Sequence, residues 1–227
     1  VHRTMRLEPL AAARAGARQR IGWATLFLKG YALVARETPE LRSWVCGRLG
    51  RRIATSSVSV ATLAINRVED GHDRLYFARL VAPESKSLAD LQAAVDEAAT
   101  GPAAELFPRQ LELEMLPRFL RRALLRWHVR SRSAKRPRRI GTFSLSTLAG
   151  FGAHNAFPPT ICATGLSYAP LDAAGQCVVT LAADHRLIDG AGVARALERL
   201  ERVFHEEIRA ELSSLPDAAP APPATAA

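Results

Sequence analysis

Two kinds of hydrophobic pattern alternate along the chain. Helical spacing of apolar residues occurs in three stretches, residues 21–44, 85–99 and about 190–212. β-rich runs occur in five others, residues 56–66, 73–83, 140–146, 161–168 and 176–183. We expect the first helix to end at Thr38-Pro39, and the first two strands to pair through a turn at Asp70-Gly71. Strand pairs without regular βαβ units predict an α+β fold, a mixed α/β sandwich.

The composition indicates a single large domain. The chain has 227 residues, of which 48% are apolar and 23% charged, as is ordinary for a globular protein. At this length one core suffices without disulfides or a structural metal. Cys46, Cys162 and Cys177 are widely spaced and form no CxxC pair, which favours a reducing compartment. Because the sequence has neither a long apolar run nor the apolar core of a signal peptide, it predicts a cytoplasmic protein.

The positive charge is concentrated in one segment. The net charge is +9, but residues 116–139 contain ten lysines and arginines and no acid, so the rest of the chain is close to neutral. Apolar residues recur one turn apart in this segment, at Leu116, Leu120, Leu124 and Trp127. This spacing predicts an amphipathic helix, which Pro137 is expected to stop. Because the charge is local and few aromatic residues are interleaved with it, the high pI does not indicate nucleic-acid binding.

A candidate catalytic motif follows the last predicted strand. Residues 184–190 read Asp-His-Arg-Leu-Ile-Asp-Gly, and a helix is predicted to begin directly after them. In this arrangement His185 would project from a rigid strand end as a general base, while Asp189 would fix the turn through ion pairing. Gly190 would permit a tight exit. The motif alone is equally compatible with an ordinary strand-to-helix turn that carries a partly exposed histidine.

A second motif lies upstream. Residues 141–146 read Gly-Thr-Phe-Ser-Leu-Ser, a predicted strand whose last residue, Ser146, precedes a loop rich in glycine and proline. Together with DHRLIDGAGVARAL, this motif resembles the catalytic core of the dihydrolipoamide acyltransferases, the acyl-transferring component of 2-oxo acid dehydrogenase complexes. That family shares its fold with chloramphenicol acetyltransferase. The stretches ATLFLKGYALVARETPELRSW and ARLVAPESKSLADLQ are also similar to the family, so the resemblance covers residues 21–212.

The resemblance implies a coenzyme A-dependent acyltransferase with a chloramphenicol acetyltransferase-like fold, in which helices cover a mixed sheet. His185 matches the general base that takes the proton of an incoming thiol, hydroxyl or amine. Ser146 matches the donor to the tetrahedral oxyanion, and Asp189 matches the acid that orders the turn. In the family the site lies between the subunits of a trimer, so a homotrimer or a multiple of one is expected. Coenzyme A enters as a substrate, and no metal is expected.

The chain departs from the family in its domain organisation. Because it contains no lipoyl domain, two alternatives stay open, a fragment of a dehydrogenase-complex acyltransferase and a stand-alone enzyme with another acceptor. A non-catalytic scaffold homologue is a third, although the matching histidine, serine and aspartate count against it. The expected units are an N-terminal arm (residues 1–20), a catalytic domain (21–212) with a basic helical insertion (about 111–139), and a disordered Pro/Ala tail (213–227).

The basic segment and one loop histidine have more than one interpretation. Residues 116–139 form either a solvated helix or a site for an anionic partner. The partners considered are the phosphates of coenzyme A, an anionic lipid surface, dehydrogenase-complex subunits and an acidic acyl carrier, but not nucleic acid. His154 lies in the loop after Ser146 and is a weak candidate for contact with the substrate. No histidine or cysteine group has metal-ligand spacing.

Overall fold

The computed structural model describes residues 1–47 and 50–215. The strands are β1 (His2–Arg6), β2 (Ser43–Cys46), β3 (Arg52–Thr55), β4 (Val60–Glu69), β5 (His72–Val81), β6 (Phe143–Leu145), β7 (Thr164–Tyr168) and β8 (Gln176–Ala183). The helices are α1 (Glu8–Ala15), α2 (Trp23–Glu37), α3 (Leu88–Thr100), α4 (Ala103–Leu106), α5 (Pro108–Met115), α6 (Arg118–Val129), α7 (Arg136–Ile140), α8 (Gly190–Val203) and α9 (Arg209–Ser213). A π-helical turn, Phe204–Ile208, joins α8 to α9.

Within these residues, six strands form one mixed sheet in the order β1-β8-β7-β6-β4-β5. β6 runs parallel to both of its neighbours, β4 and β7, and the other pairs are antiparallel. β2 and β3 pair separately. The mixed sheet with its helices confirms the predicted α+β class. None of the helices in the described ranges combines the length and the apolar character needed to cross a bilayer.

The core forms where α2 and α8 pack on one face of the sheet. Phe27 of α2 stacks on Tyr168 of β7, with ring centroids 4.1 Å apart, and meets the edge-on ring of Phe204 at 4.9 Å. One turn later, Tyr31 lies against Phe143 and donates its hydroxyl to Thr164 Oγ1 at 2.8 Å. The apolar positions of α2 therefore bury it on the central strands, and burial of these aromatic rings is a large part of the hydrophobic stabilisation.

Local signals in the sequence place several boundaries correctly. α2 ends at Glu37, directly before Thr38-Pro39. In the β4–β5 hairpin, Glu69 pairs with His72, and Asp70 and Gly71 both have positive φ, 51° and 77°. These angles are those of the type I′ turn that Asp-Gly favours. The predicted hairpin and the end of the first helix are thus confirmed.

Residues 1–20 are integrated into the domain, although the sequence suggests an arm outside it. His2–Arg6 pairs along the whole of β1 with β8, and Met5 and Leu10 are fully buried. The pattern is too short to stand out in the sequence, because one edge strand buries few side chains. At the other end, α9 ends at Ser213 and Leu215 is buried. The rest of the predicted Pro/Ala tail, residues 216–227, lies outside the described residues.

The basic segment contains two helices. α6 ends at Val129, and Pro137 lies in the first turn of α7, so the prediction that Pro137 stops the helix is wrong. A proline is tolerated there because the first turn does not use its backbone N–H. Arg136 also departs from the expected basic face. It is buried, its guanidinium lies 4.8 Å from the centre of the Trp44 ring, and it donates to the Gly141 carbonyl at 3.0 Å.

Gly141, the first residue of the GTFSLS motif, occupies a position with no room for a side chain. Its φ is +94°, and a Cβ there would lie 2.2 Å from Thr62 Oγ1. We expect Gly141→Ala to lower the free energy of unfolding by about 2 kcal/mol or more, from backbone strain and overpacking. Urea denaturation measures this change. The control is Gly150→Ala, where a Cβ meets nothing within 4 Å; equal stabilities of the two variants would contradict the prediction.

Candidate active site

His185 lies on a turn that the sheet holds in place. β8 ends at Ala183, and the backbone N–H of Asp184 donates to the Ala163 carbonyl at 2.8 Å, just before β7. The His185 side chain is exposed, and its Nδ1 lies 3.2 Å from the Ile188 carbonyl oxygen. Because a carbonyl only accepts, this contact requires the proton on Nδ1. The lone pair of Nε2 then points away from the turn, and this is the tautomer that a general base needs.

The ion pair of the turn involves Asp184, not Asp189. Arg186 Nε donates to Asp184 Oδ1 at 2.7 Å, and the backbone N–H of Arg186 donates to the same oxygen at 3.1 Å. The hydrogen bond from the Arg186 side chain holds the pKa of Asp184 below its ordinary value. The sequence interpretation missed this pair, although an acid and an arginine on either side of His185 were a visible signal.

Asp189 orders the turn in a different way from the one expected. It is the N-cap of α8, and its Oδ1 accepts the backbone N–H of Gly192 at 2.6 Å. The described residues provide no ion-pair partner for it. A carboxylate at this position satisfies a free N–H group of the first helical turn and lies at the positive end of the helix dipole. Asp189 therefore connects the His185 turn to a rigid helix.

Ser146 is the first residue after β6 and is half-buried. Its backbone N–H donates to the Leu166 carbonyl at 3.1 Å. Leu145 pairs with Leu166 in the parallel β6–β7 ladder, so Ser146 lies beside the carboxyl end of β7. The strand that carries the serine is thus anchored by the central strand of the sheet.

Within one chain, Ser146 and His185 lie at opposite ends of β7. The last residue of β8, Ala183, pairs with Thr164 at the amino end of β7, whereas Ser146 follows the Leu145–Leu166 pair near its carboxyl end. At the usual strand dimensions they are at least about 10 Å apart along the strands and two spacings of about 5 Å across them. The two side chains therefore cannot act on the same atom within one chain.

His154 belongs to the Ser146 end of the sheet. Its Nε2 lies 3.2 Å from Thr180 Oγ1, and Thr180 pairs with Ser167, the residue after Leu166. The loop carrying His154 folds over this face of the sheet, where Ser144 Oγ donates to Thr160 Oγ1 at 2.8 Å. The structure thus brings His154 to the neighbourhood of Ser146 and away from His185.

An open cleft of about 750 Å³ lies beside His185. The turn, α8 and the end of α2 line it, and three arginines of α8 contribute: Arg195, Arg199 and Arg202. Arg199 forms a two-pronged ion pair with Glu37, with both nitrogen–oxygen distances 2.9 Å. Arg195 and Arg202 are exposed and have no ion pair among the described residues. Sequence reasoning missed this basic row, although the four- and three-residue spacing on an amphipathic helix signals it.

The described residues contain no group of three histidine, cysteine, aspartate or glutamate side chains that could hold a metal ion. Cys46, Cys162 and Cys177 are free and buried. Burial raises the pKa of the Cys177 thiol to about 11. These thiols are therefore part of the packing and not of an exposed reactive site.

Comparison with known proteins finds similarity in three dimensions. No protein-family model and no curated protein sequence matches this chain. The cubic core of a pyruvate dehydrogenase multienzyme complex is similar, with a TM-score of 0.62 and 20% identity over 93% of this chain and 82% of that one. Dihydrolipoamide acetyltransferase of Azotobacter vinelandii is similar, with a TM-score of 0.60 and 20% identity over 93% of this chain and 82% of that one.

The Azotobacter structure was solved to examine a serine, a histidine and an asparagine, the last four positions after the histidine, in that enzyme's catalytic mechanism. Chloramphenicol acetyltransferase is also similar, with a TM-score of 0.54 and 12% identity over 90% of this chain and 86% of that one. The predicted resemblance is thus confirmed at the level of the fold. This chain has the fold shared by dihydrolipoamide acetyltransferase cores and chloramphenicol acetyltransferase.

Proposed function

We propose that this protein is a coenzyme A-dependent acyltransferase, which moves an acyl group between coenzyme A and a thiol, hydroxyl or amine acceptor. The observation that carries the proposal is the His185 turn, where the Ile188 carbonyl fixes the Nδ1 proton and leaves Nε2 free. The fold and the four-residue spacing from His185 to Asp189 support it, because a histidine and an asparagine with this spacing were studied in the Azotobacter enzyme.

The reaction follows from these groups. Nε2 of His185 takes the proton from the acceptor, whose sulfur, oxygen or nitrogen attacks the carbonyl carbon of the thioester. The Ser146 hydroxyl donates a hydrogen bond to the oxyanion of the tetrahedral intermediate. When the intermediate collapses, the carbon–sulfur bond breaks, and the imidazolium returns the proton to the thiolate of coenzyme A. The acyl group has then moved to the acceptor.

The mechanism requires more than one copy of the chain. Since Ser146 and His185 lie at opposite ends of β7, the serine at each site comes from a neighbouring copy. We propose a trimer or a multiple of one, with three shared sites. Assembly of a similar chain into the cubic core of a multienzyme complex supports a multimer.

The cleft beside His185 has a small excess of positive charge, because four arginines line it against three acids, Glu37, Glu40 and Asp189. The exposed guanidinium groups of Arg195 and Arg202 are available to phosphate groups, which coenzyme A carries. The alternative is a catalytic core that acts within a 2-oxo acid dehydrogenase complex, and the likeness of its fold to such a cubic core supports it. The tautomer fixed at His185 counts against a non-catalytic scaffold.

The first prediction from the proposed function concerns His185 as the general base. In His185→Ala, turnover of an acyl-CoA should fall by about 100-fold or more, because a positioned general base contributes on that scale. We expect a smaller loss in Ser146→Ala. The assay is release of free coenzyme A, and the control is His72→Ala, which removes an exposed histidine at the β4–β5 turn. Full turnover in the His185 variant would refute the mechanism.

The second prediction concerns the shared site. His185→Ala and Ser146→Ala each impair every site of their own trimer, but a mixed trimer contains one intact site. Co-expression in equal amounts should restore about one quarter of the wild-type activity, since three quarters of the trimers are mixed and each has one intact site in three. The measurement is the specific activity of the unfractionated co-expressed protein; doubly tagged assemblies purified from it are all mixed and should reach about one third. No recovery in verified mixed assemblies would exclude a site shared between subunits.

The third prediction separates the cap from the charge at Asp189. Asp189→Ala should cost about 1 kcal/mol of stability and lower turnover, because α8 loses its cap and the His185 turn loses its anchor. Asparagine caps a helix as well as aspartate does, so Asp189→Asn should keep stability and most of the turnover. Thermal unfolding and kcat at 25 °C are measured on both variants. A loss of activity in Asp189→Asn equal to that in Asp189→Ala would show that the charge matters.

A further inference from the structure

α6 presents apolar and basic residues side by side to solvent. None of its residues is buried, and the side chains of Phe119 and Trp127 are 70% and 59% exposed. With Ala123 they form a row at four-residue spacing, about 12 Å long at 1.5 Å per residue. The sequence predicts an amphipathic helix here, and the outer part of its apolar face is exposed in the fold.

A parallel row of arginines lies one residue earlier along the same helix. Arg118, Arg122 and Arg126 are exposed, and Arg130 at the C-cap continues the row. In the described part of the chain, no acidic side chain is within ion-pair distance of these four. Arg136 does not belong to the row, because it is buried against Trp44. The apolar row and the arginine row together form a surface that we call the α6 face.

We propose that the α6 face binds the surface of a membrane that contains anionic lipid, with the helix axis parallel to the bilayer plane. A helix with exposed aromatic residues beside arginines and little overall hydrophobicity is suited to the boundary between headgroups and acyl chains. The rings of Phe119 and Trp127 enter that boundary, and the guanidinium groups reach the lipid phosphates. This inference goes beyond the proposed function and does not depend on it.

Charge and shape favour a bilayer over the other occupants. Contact between the α6 faces of two copies would oppose like charges, and the rest of the chain is close to neutral, so self-association through the α6 face gains nothing from charge complementarity. An acidic protein would satisfy the arginines, but it would not by itself account for an exposed phenylalanine and tryptophan in line with them. A membrane surface satisfies both rows at once.

The test measures binding of the full chain to vesicles by sedimentation. Vesicles of phosphatidylcholine with about 30% phosphatidylserine should bind the protein at an ionic strength of about 0.1 M, and pure phosphatidylcholine vesicles should not. The triple variant Arg118→Gln, Arg122→Gln, Arg126→Gln should bind roughly 100-fold more weakly, since each basic residue near the surface contributes about a factor of five. The matched control replaces three exposed arginines elsewhere, Arg6, Arg20 and Arg209, by glutamine.

A second pair of variants tests the apolar row. Phe119→Ser with Trp127→Ser should weaken vesicle binding by about 10-fold or more, whereas Phe157→Ser, at another exposed phenylalanine, should not. In the wild type, Trp127 emission should shift to shorter wavelength when vesicles are added, and this shift should be absent in Trp127→Phe. Circular dichroism verifies that each variant is folded.

Three results would overturn the proposal. The first is no binding to the anionic vesicles by a folded protein. The second is an equal loss of binding in the matched arginine control, which would mean that only the net charge matters. The third combines two observations: the apolar variants bind vesicles as well as the wild type does, and the wild type binds soluble polyglutamate as tightly as it binds vesicles. That result would identify the α6 face as a docking surface for an acidic protein.

Discussion

The pairing of β7 with its two neighbours is the constraint on which the proposed chemistry of this protein depends. β7 is parallel to β6 and antiparallel to β8, so the chain leaves those two neighbours at opposite ends of it. Ser146 follows one of them and His185 follows the other. The same hydrogen-bonded ladder that stabilises the centre of the sheet therefore separates the two groups, and catalysis by both requires a second copy of the chain.

The aromatic cluster beneath the sheet keeps this arrangement rigid. The Phe27 ring packs between Tyr168 of β7 and Phe204 after α8, and Tyr31 is hydrogen-bonded to Thr164 at the other end of β7. α8 begins at the Asp189 cap, so the helix that packs on this cluster also carries the turn with His185. Core packing and site geometry are thus properties of the same few contacts, and a general base gains from such rigidity because its reach is only a hydrogen-bond length.

The basic segment shows how one pattern serves two purposes. Its final part is structural, because Arg136 stacks on Trp44 and α7 leads through Gly141 into the strand before Ser146. Its earlier part, α6, contributes little to the core and leaves its charges and rings in solvent. The number of positive charges in the sequence is therefore a poor measure of the surface that they form, since a stacked and hydrogen-bonded guanidinium is not available to a partner.

Features that depend on neighbours along the chain could be predicted from the sequence. The end of α2 before Thr38-Pro39 and the hairpin at Asp70-Gly71 follow from local backbone preferences, and the DHRLIDG and GTFSLS motifs pointed to the fold. The sequence also predicts that Asp189 orders the turn, but the ion pair expected there is a helix cap in the structure, because capping and ion pairing use the same carboxylate.

Features that depend on pairing between distant segments were decided only by the tertiary structure. The strand at His2–Arg6 forms because β8, far along the chain, has a free edge with which it pairs. A pattern of five residues is too short to indicate such a partner. The sequence likewise determined that Ser146 ends a strand and that His185 follows one, but not that these two ends point in opposite directions along β7. Strand direction and register are set by hydrogen bonds between segments, and a linear pattern of side chains does not contain them.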